Sequence, residues 1–597
     1  MKYWRAGLMG GGIGGVMLLV FWSVFTAQYL NYDDPVHVVN DLFATPWRIF
    51  FTPDSACTIY VPLSMISFYI EQIIFKSNPY AAHVINFLIH AGVVLLVYRL
   101  ACRLGLKKAA AYIAALIFAV HPMHVESVAW VSERKDLLYS VFYLGAVLFY
   151  CSYVEQQNRR AYFFALVCGL ASALSKPMAL SLPLVLFLID HIKGRKFTWA
   201  SVLDKLPFFV IIEPLVLITY VLNSRDMAAV VPGGLALWAW CGAFYINTFF
   251  WPVHLLPVYG APALTGFPLA VYIILPAAGG VVAWMIGGAR ARPWLVFAFL
   301  FYILSTFFVW RFDTQDLNVV ADRYMYLPSL GFCLLAGFVL NAWLEMSTTV
   351  IRKYIFFGFA AVLLLLLAGR ACQQVQVWDN GFRFWGNILK DRPDAAFALK
   401  GRIRAALLFD PLFDRGVEED IKKTVDQRYW KRLAGSPEAT ELAGRKVFYL
   451  RQLSALRDLK ALGRAKGDKK DYYHFLAVAH ENLDRRRHIM SQRIFNEYSL
   501  AINLDAKDSL LYFSRGLAAL RMKNDAAALK DALMAVKLEP KEPTYYDLAV
   551  FCAVRSGNYR LAMALLDIEA VLFPDKVSVP RDRVKIDRWM SGVQIEK

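Results

Sequence analysis

Apolar residues run almost unbroken through much of residues 1–371, interrupted only by short charged loops. Beyond 371 they recur at helical spacing among charges. A helix needs about 20 mostly apolar residues to cross the hydrocarbon core of a bilayer. The first run, 7–30, follows Lys2 and Arg5, and no small-residue cleavage site comes after it. It therefore reads as a retained span with a cytoplasmic N-terminus. Further runs predict spans near 81–101, 109–126, 136–154, 161–174, 178–192, 205–223, 266–288, 294–311, 327–346 and 354–371, which brings the expected number to eleven. The stretch 62–75 is apolar but too short to cross and carries Glu71, which suits a helix lying at the interface.

Basic residues orient these runs. Arg99, Arg103, Lys107 and Lys108, then Arg159 and Arg160, then Lys193, Arg195 and Lys196, then Arg290 and Arg292, then Arg352 and Lys353 fall in alternate loops. All share the inner side, as positive-inside bias requires, if the Trp- and Pro-rich segment 234–257 does not cross fully. The polar loops 31–80, 121–136 and 311–327 then face outward together with everything beyond 371. The predicted organisation is all-α: a polytopic membrane helical bundle over 1–371, a helical linker over 372–470 with room for degenerate repeats, and a soluble repeat array over 471–597.

The array shows as a recurrence of small residues. Tyr512, Gly516, Ala528, Ala535 and Pro540 occupy the small-residue and proline positions of one tetratricopeptide (TPR) helix pair. Ala501, Ala535 and Ala570 recur close to the roughly 34-residue period of such repeats, and Tyr473 and Ala477 prefigure Tyr512 and Gly516. Small residues let the paired helices approach, and the proline ends the second. A generic array of helical hairpins is the plainer alternative. Stacked pairs offer a concave surface to a polypeptide and carry no chemistry themselves.

Composition agrees with the patterning. Mean hydropathy is +0.42 and only 19% of residues are charged, against about 25% in soluble proteins, which excludes an ordinary soluble enzyme. The formal charge of +18 does not imply nucleic acid, because the cations lie in membrane loops or mix with acids on the C-terminal helices. The eight cysteines are scattered, with Cys102, Cys151, Cys168, Cys241 and Cys333 inside apolar runs, so neither a disulfide framework nor a cysteine zinc site organises the fold.

Candidate chemistry concentrates in the outer loops. Asp33 and Asp34 follow the first span, where paired carboxylates are costly beside lipid unless they have a task such as accepting a proton or holding a divalent metal. Asp34 is preferred as the base because it lies further along the chain from the bilayer; a solvated helix end is the structural alternative. His121, His124 and Glu126 close the third span at a spacing that matches no strong zinc pattern. They are read as shaping a cleft, with ligation of a divalent metal as the alternative. Arg134 has the donor fork suited to a lipid phosphate, with Lys135 the weaker choice and Asp136 beside it. Lys176 is either a snorkelling interfacial lysine or a second phosphate contact. Asp322, Arg323 and Tyr324 enter the next-to-last span: either the first two pair, or Arg323 binds an anionic head group while aromatic neighbours line a sugar-sized pocket. Trp378, Phe382, Phe384 and Trp385 read as an interfacial helix joining membrane part to tail.

Taken together, Tyr32-Asp33-Asp34, His121-Pro-x-His124-x-Glu126 with Arg134 and Asp136, Asp322-Arg323-Tyr324-x-Tyr326-Leu-Pro and the repeats resemble the transmembrane-and-tetratricopeptide-repeat (TMTC-type) glycosyltransferases. These belong to the GT-C superfamily and are related in fold to protein O-mannosyltransferases. The resemblance covers almost the whole chain. It implies transfer of a sugar from a polyprenyl-phosphate donor to serine or threonine of a protein acceptor on the outer face, with the repeats holding the acceptor. It maps the catalytic aspartate onto Asp33 or Asp34 and phosphate-stabilising arginines onto Arg134 and Arg323. Tyr60-Val61-Pro62-Leu63 departs from the family's Tyr-Arg-Pro-Leu, which leaves a different sugar open. The competing readings are a lipid or glycan acceptor, a non-catalytic scaffold recruiting partners through its repeats, and a transporter. The last is disfavoured because the polar residues gather at one face. No Asn-x-Ser/Thr sequon occurs, which favours a bacterial inner membrane with a periplasmic tail over the endoplasmic reticulum.

Overall fold

The long apolar runs fold as helices because a backbone in hydrocarbon has to satisfy its own hydrogen bonds. The computed structural model describes residues 2–38, 46–50, 60–223, 234–260, 267–286, 288–312, 319–346, 350–407, 420, 446–462, 469–483 and 490–573. These are helical or irregular, with no strand among them, and they divide into two compact units, the first running to Ile388 and the second beginning at Leu389.

The first unit is a multi-pass membrane bundle. Pro79–Arg103, Val131–Gln156, Arg292–Val309 and Phe357–Trp378 are long and apolar enough to span. Lys108–Val120 and Pro122–Ala129 reach that length only together and are bent by 53° at the break between them, the form of a broken span or a re-entrant loop. Shorter apolar helices, among them Pro62–Phe75, Pro177–Ile192 and Leu330–Trp343, accompany them. By length and composition the described residues thus supply four or five full spans where apolar runs alone suggest eleven. Prolines account for part of the difference. The run at 178–192 opens as a 3-10 turn, Pro177–Ser181, before the helix Leu182–Ile192. In the ambiguous segment 234–257, the helix Gly234–Phe250 is 17 residues long and gives way to irregular backbone.

The bend at Pro122 positions the site. Proline has no N–H and disfavours helical backbone in the residue before it. His121 is accordingly extended at φ −66°, ψ 128°, and the chain turns there instead of continuing outward. Two short turns later it enters the helix Arg134–Gln156, which pairs closely with Arg159–Ser175. Pro62–Phe75 is a 14-residue helix with one buried face, Pro62, Ser64, Met65, Phe68 and Glu71. Its other face exposes Ile70, Ile73, Ile74 and Phe75, the pattern of a helix at an apolar boundary.

The helices Lys108–Val120 and Leu330–Met346 meet backbone to backbone at Gly337. A Cβ there would lie 2.5 Å from the Ala110 carbonyl oxygen, so only glycine allows this approach. Gly337→Ala is expected to cost about 1–3 kcal/mol by overpacking, read as a lowered melting temperature of the detergent-solubilised protein.

The second unit is an α-solenoid of helix pairs. Lys469–Leu483 packs on Ser491–Leu504, Ser509–Arg521 on Asp525–Leu538, and Pro543–Arg555 on Tyr559–Leu572, each pair against the next. Ala528, Ala535 and Ala501 are fully buried where the helices touch. Caps recur with the repeat: Asn524 accepts from Ala527 N at 3.1 Å, and Asn558 from Leu561 N at 3.2 Å. Upstream, Ala396–Leu407 packs against Lys446–Leu462, a further pair within the stretch where the sequence shows no clear repeat.

Candidate active site

The outer ends of several helices converge, and the two adjacent aspartates fare differently there. Asp34 is fully buried. Its Oδ2 accepts from Leu30 N at 2.7 Å, and its Oδ1 accepts from Ser132 N at 3.0 Å and from the Ser132 hydroxyl. Burial nevertheless pushes its carboxyl up to about 6. Asp33 is half-buried, and its carboxylate has no direct hydrogen bond or ion pair among the described residues. Burial raises it above the ordinary carboxylate range, against the pull of Lys135, with Glu133 adding to the rise and Arg323 opposing it. Distance along the chain favours Asp34; the turn at 31–33 instead aims it inward as a structural tie and leaves Asp33 available.

Beside Asp33 stands an ion network centred on Glu133. Its carboxylate lies 3.2 Å from Lys135 Nζ, 3.3 Å from Lys176 Nζ and 3.5 Å from Arg323 Nε. Lys176 Nζ also meets Asp136 Oδ1 at 2.5 Å, and Asp136 Oδ2 accepts from the Ser127 hydroxyl at 3.1 Å. Glu126 holds Arg323 twice, accepting from its backbone N at 2.9 Å and from Nη1 at 2.6 Å. The Arg323 guanidinium lies over the Trp130 and Tyr324 rings, at 5.5 and 5.0 Å. Its side chain is 12% exposed, against 0% for Arg134, so of the two arginines only Arg323 opens toward a ligand.

Several expected contacts take other places. Arg134 lies inside the protein. It donates to Asn86 Oδ1 at 2.7 Å and to Glu71, and it covers the Phe68 ring at 4.4 Å. To reach a lipid phosphate it would have to break a buried ion pair. Lys176 is buried between two carboxylates and does not snorkel. His121 and His124 do not converge with Glu126 as ligands. His121 donates from Nε2 to the Phe249 carbonyl at 3.0 Å and accepts from Met123 N at 3.3 Å. His124 bonds to the Phe118 carbonyl at 2.6 Å and to the Ser329 hydroxyl at 2.7 Å. Both brace the helix break. Among the described residues no three His, Cys, Asp or Glu side chains form a metal-holding group. Asp322 does not pair with Arg323; it accepts from the buried Tyr259 hydroxyl at 2.8 Å.

An aromatic wall completes the site. Tyr32 stacks on Trp130 at 5.4 Å and meets Phe384 and Trp385 at 5.4 and 5.5 Å. Trp130 in turn stacks on Trp378 at 5.6 Å. Residues read from sequence only as an interfacial helix therefore pack against the aspartate loop itself.

The family described as dolichyl-phosphate-mannose-protein mannosyltransferase matches residues 65–221. Protein O-mannosyl-transferase TMTC3 of Mus musculus is 22% identical over 583 residues, which cover 86% of this chain and 60% of that protein. The chain is similar to that protein over most of its own length. Human TMTC4 is 31% identical over 173 residues, covering 25% of this chain and 23% of its own length. The chain spans 60% and 65% of the length of the mouse and human TMTC3 proteins. A crystal structure of ArnT from Cupriavidus metallidurans bound to undecaprenyl phosphate covers 91% of this chain and 81% of its own at 14% identity, with a TM-score of 0.37, too low to carry an argument.

Sequence reasoning about this chain misses Glu133, Ser132, Asn86, Tyr259 and the Trp130 platform. Two signals were available. Glu71 is a lone acid in an apolar helix and demands a buried cation. The run Ser132-Glu133-Arg134-Lys135-Asp136 packs two acids and two bases into one helical turn, where neighbours face different ways.

Proposed function

We propose that the chain transfers a sugar from a polyprenyl-phosphate carrier to serine or threonine hydroxyls of a polypeptide at the outer membrane face, periplasmic in a bacterial setting. The observation that carries this reading is the half-buried Asp33 carboxylate, without a direct partner among the described residues, in the field of Lys135 and of the Glu126-oriented Arg323. An oxocarbenium-like transfer needs an acid-rich side at the sugar and a basic side at the phosphate. Asp33 accepts the hydroxyl proton while the hydroxyl oxygen bonds to the anomeric carbon. The bond from that carbon to the phosphate oxygen breaks, and Lys135 and Arg323 stabilise the charge left on the carrier phosphate. Glu126, Glu133 and Asp136 hold these cations, Lys176 bridges two of the acids, and Asp34, His121, His124, Arg134 and Asp322 support the frame. The likeness to protein O-mannosyl-transferases supports mannose as the first sugar to test. The helix pairs would hold the polypeptide and raise its local concentration.

The test is intact-mass spectrometry of outer-face proteins co-expressed with the chain or without it. A hexose-sized mass step that depends on the chain is the expected result. Its absence across a broad acceptor set favours the non-catalytic scaffold. Loss of the step on deleting 389–597 supports a polypeptide acceptor held by the repeats; retention shows that the polypeptide is modified without them.

The pH dependence follows from Asp33. A base acts only when ionised, so the rate should rise with pH through the Asp33 pKa. That pKa stands above the ordinary value of about 3.9 because burial disfavours the charge. The acid limb of kcat/KM is therefore expected above pH 4, and Lys135→Met, which removes the largest favourable charge, should move it further upward.

A further inference from the structure

The loop that carries Asp33 has little regular structure of its own. Residues 27–30 are irregular and 31–33 form a turn. A general base needs its position held to within about 0.5 Å, and a bare loop does not supply that. The hold on the side away from Ser132 comes from chain beyond the helix Val350–Val375. Gln28 N donates to the Asp379 carbonyl at 2.8 Å. The Trp385 indole N–H donates to Asn31 Oδ1 at 3.0 Å, and the Tyr32 ring is enclosed by Trp130, Phe384 and Trp385. Trp378 and Trp385 are themselves buried, so the wall is fixed by packing. The two residues immediately before Asp33 are thus both held by Trp385.

We infer that Trp385 and Asn31 are positioning residues that set Asp33 for proton acceptance. The inference rests on the transfer reading above. Trp385 touches neither donor nor reacting atoms in this role; it acts through Asn31 and Tyr32. Because Trp385 lies four residues before the second unit begins, the same helix, Gly381–Asp391, carries both the hold on the base and the start of the repeat-bearing part of the chain.

The experiment uses the full chain in detergent micelles, with dolichyl-phosphate-mannose as donor and a serine- and threonine-bearing peptide as acceptor. Trp385→Phe keeps a ring and loses the N–H, Trp385→Ala removes both, and Asn31→Ala removes the acceptor. Amide exchange over 28–34 should quicken about ten-fold in Trp385→Ala. Turnover should fall about ten- to hundred-fold in Trp385→Ala, and several-fold in Trp385→Phe and Asn31→Ala, with the donor KM within two-fold of wild type. The acid limb of the pH profile should shift in the same variants, which a purely structural loss would not cause. Wild-type exchange in Trp385→Ala, or wild-type turnover in both Trp385→Phe and Asn31→Ala while Asp33→Asn is inactive, overturns the positioning role alone. If wild type and Asp33→Asn are equally without transfer, the enzymatic reading falls and this role falls with it. The two conservative variants keep the test decisive should Trp385→Ala fail to fold.

Discussion

Asp33→Asn is expected to lower sugar transfer by about 10²–10⁴-fold, the range that a positioned general base contributes. Asparagine has the same shape and cannot take the hydroxyl proton. Because the Asp33 carboxylate has no direct partner among the described residues, the exchange breaks no contact there, so expression and melting temperature should stay near wild type. Asp34→Asn should do the reverse. Both Asp34 oxygens accept hydrogen bonds, and an amide nitrogen in place of Oδ2 would face the Leu30 N–H donor at a buried site. That mismatch costs about 1–3 kcal/mol. The expected profile is reduced stability with substantial activity per folded molecule. Initial rates normalised to folded protein separate the two. An inactive, well-folded Asp34→Asn beside an active Asp33→Asn would reverse the assignment and restore the preference that chain position alone suggests.

Glu71→Ala is expected to destabilise the membrane unit by about 3–5 kcal/mol, because it leaves the Arg134 guanidinium charged, buried and without its carboxylate. The remaining partners, Asn86 and the Ala82 carbonyl, are neutral acceptors and do not compensate a charge. Arg134→Ala should be comparably harmful, leaving Glu71 unpaired inside. Replacing both, as Glu71→Leu with Arg134→Met, removes the two desolvation penalties together. Most of the lost stability should return, as seen when buried pairs are exchanged for apolar residues of similar size. Melting temperatures of the three variants in one detergent test this. If the double variant also regains transfer, Arg134 is a strut and no phosphate ligand. If it is well folded but loses donor turnover by orders of magnitude, Arg134 takes part in the reaction directly.

The contrast between Arg134 and Lys135 shows where sequence reasoning stops. Guanidinium chemistry makes Arg134 the better phosphate ligand on paper, and both residues sit in the same charged run. One helical position turns a side chain by about 100°. At the first turn of Arg134–Gln156 that rotation sends Arg134 toward Glu71 and Asn86, and Lys135 toward Glu133 and the neighbourhood of Asp33. The same holds for the paired aspartates, whose order in the chain says nothing about which faces inward.

The sequence by itself determined the all-α class, the multi-pass membrane character, the short apolar helix at 62–75 and the helix-pair array. Each rests on local periodicity: runs of apolar residues, charge in alternate loops, small residues at repeat spacing. The segments it singled out, 33–34, 121–136, 176 and 322–324, do meet. Only the tertiary structure decided which groups within those segments face one another. Glu133 between Lys176 and Arg323, Tyr259 beneath Asp322, Trp378 against Trp130 and Trp385 against Tyr32 are pairings across tens to hundreds of residues. No period or spacing encodes such contacts, because they depend on how helix ends are rotated and bent, as at Pro122, and on which charges burial forces to find a partner.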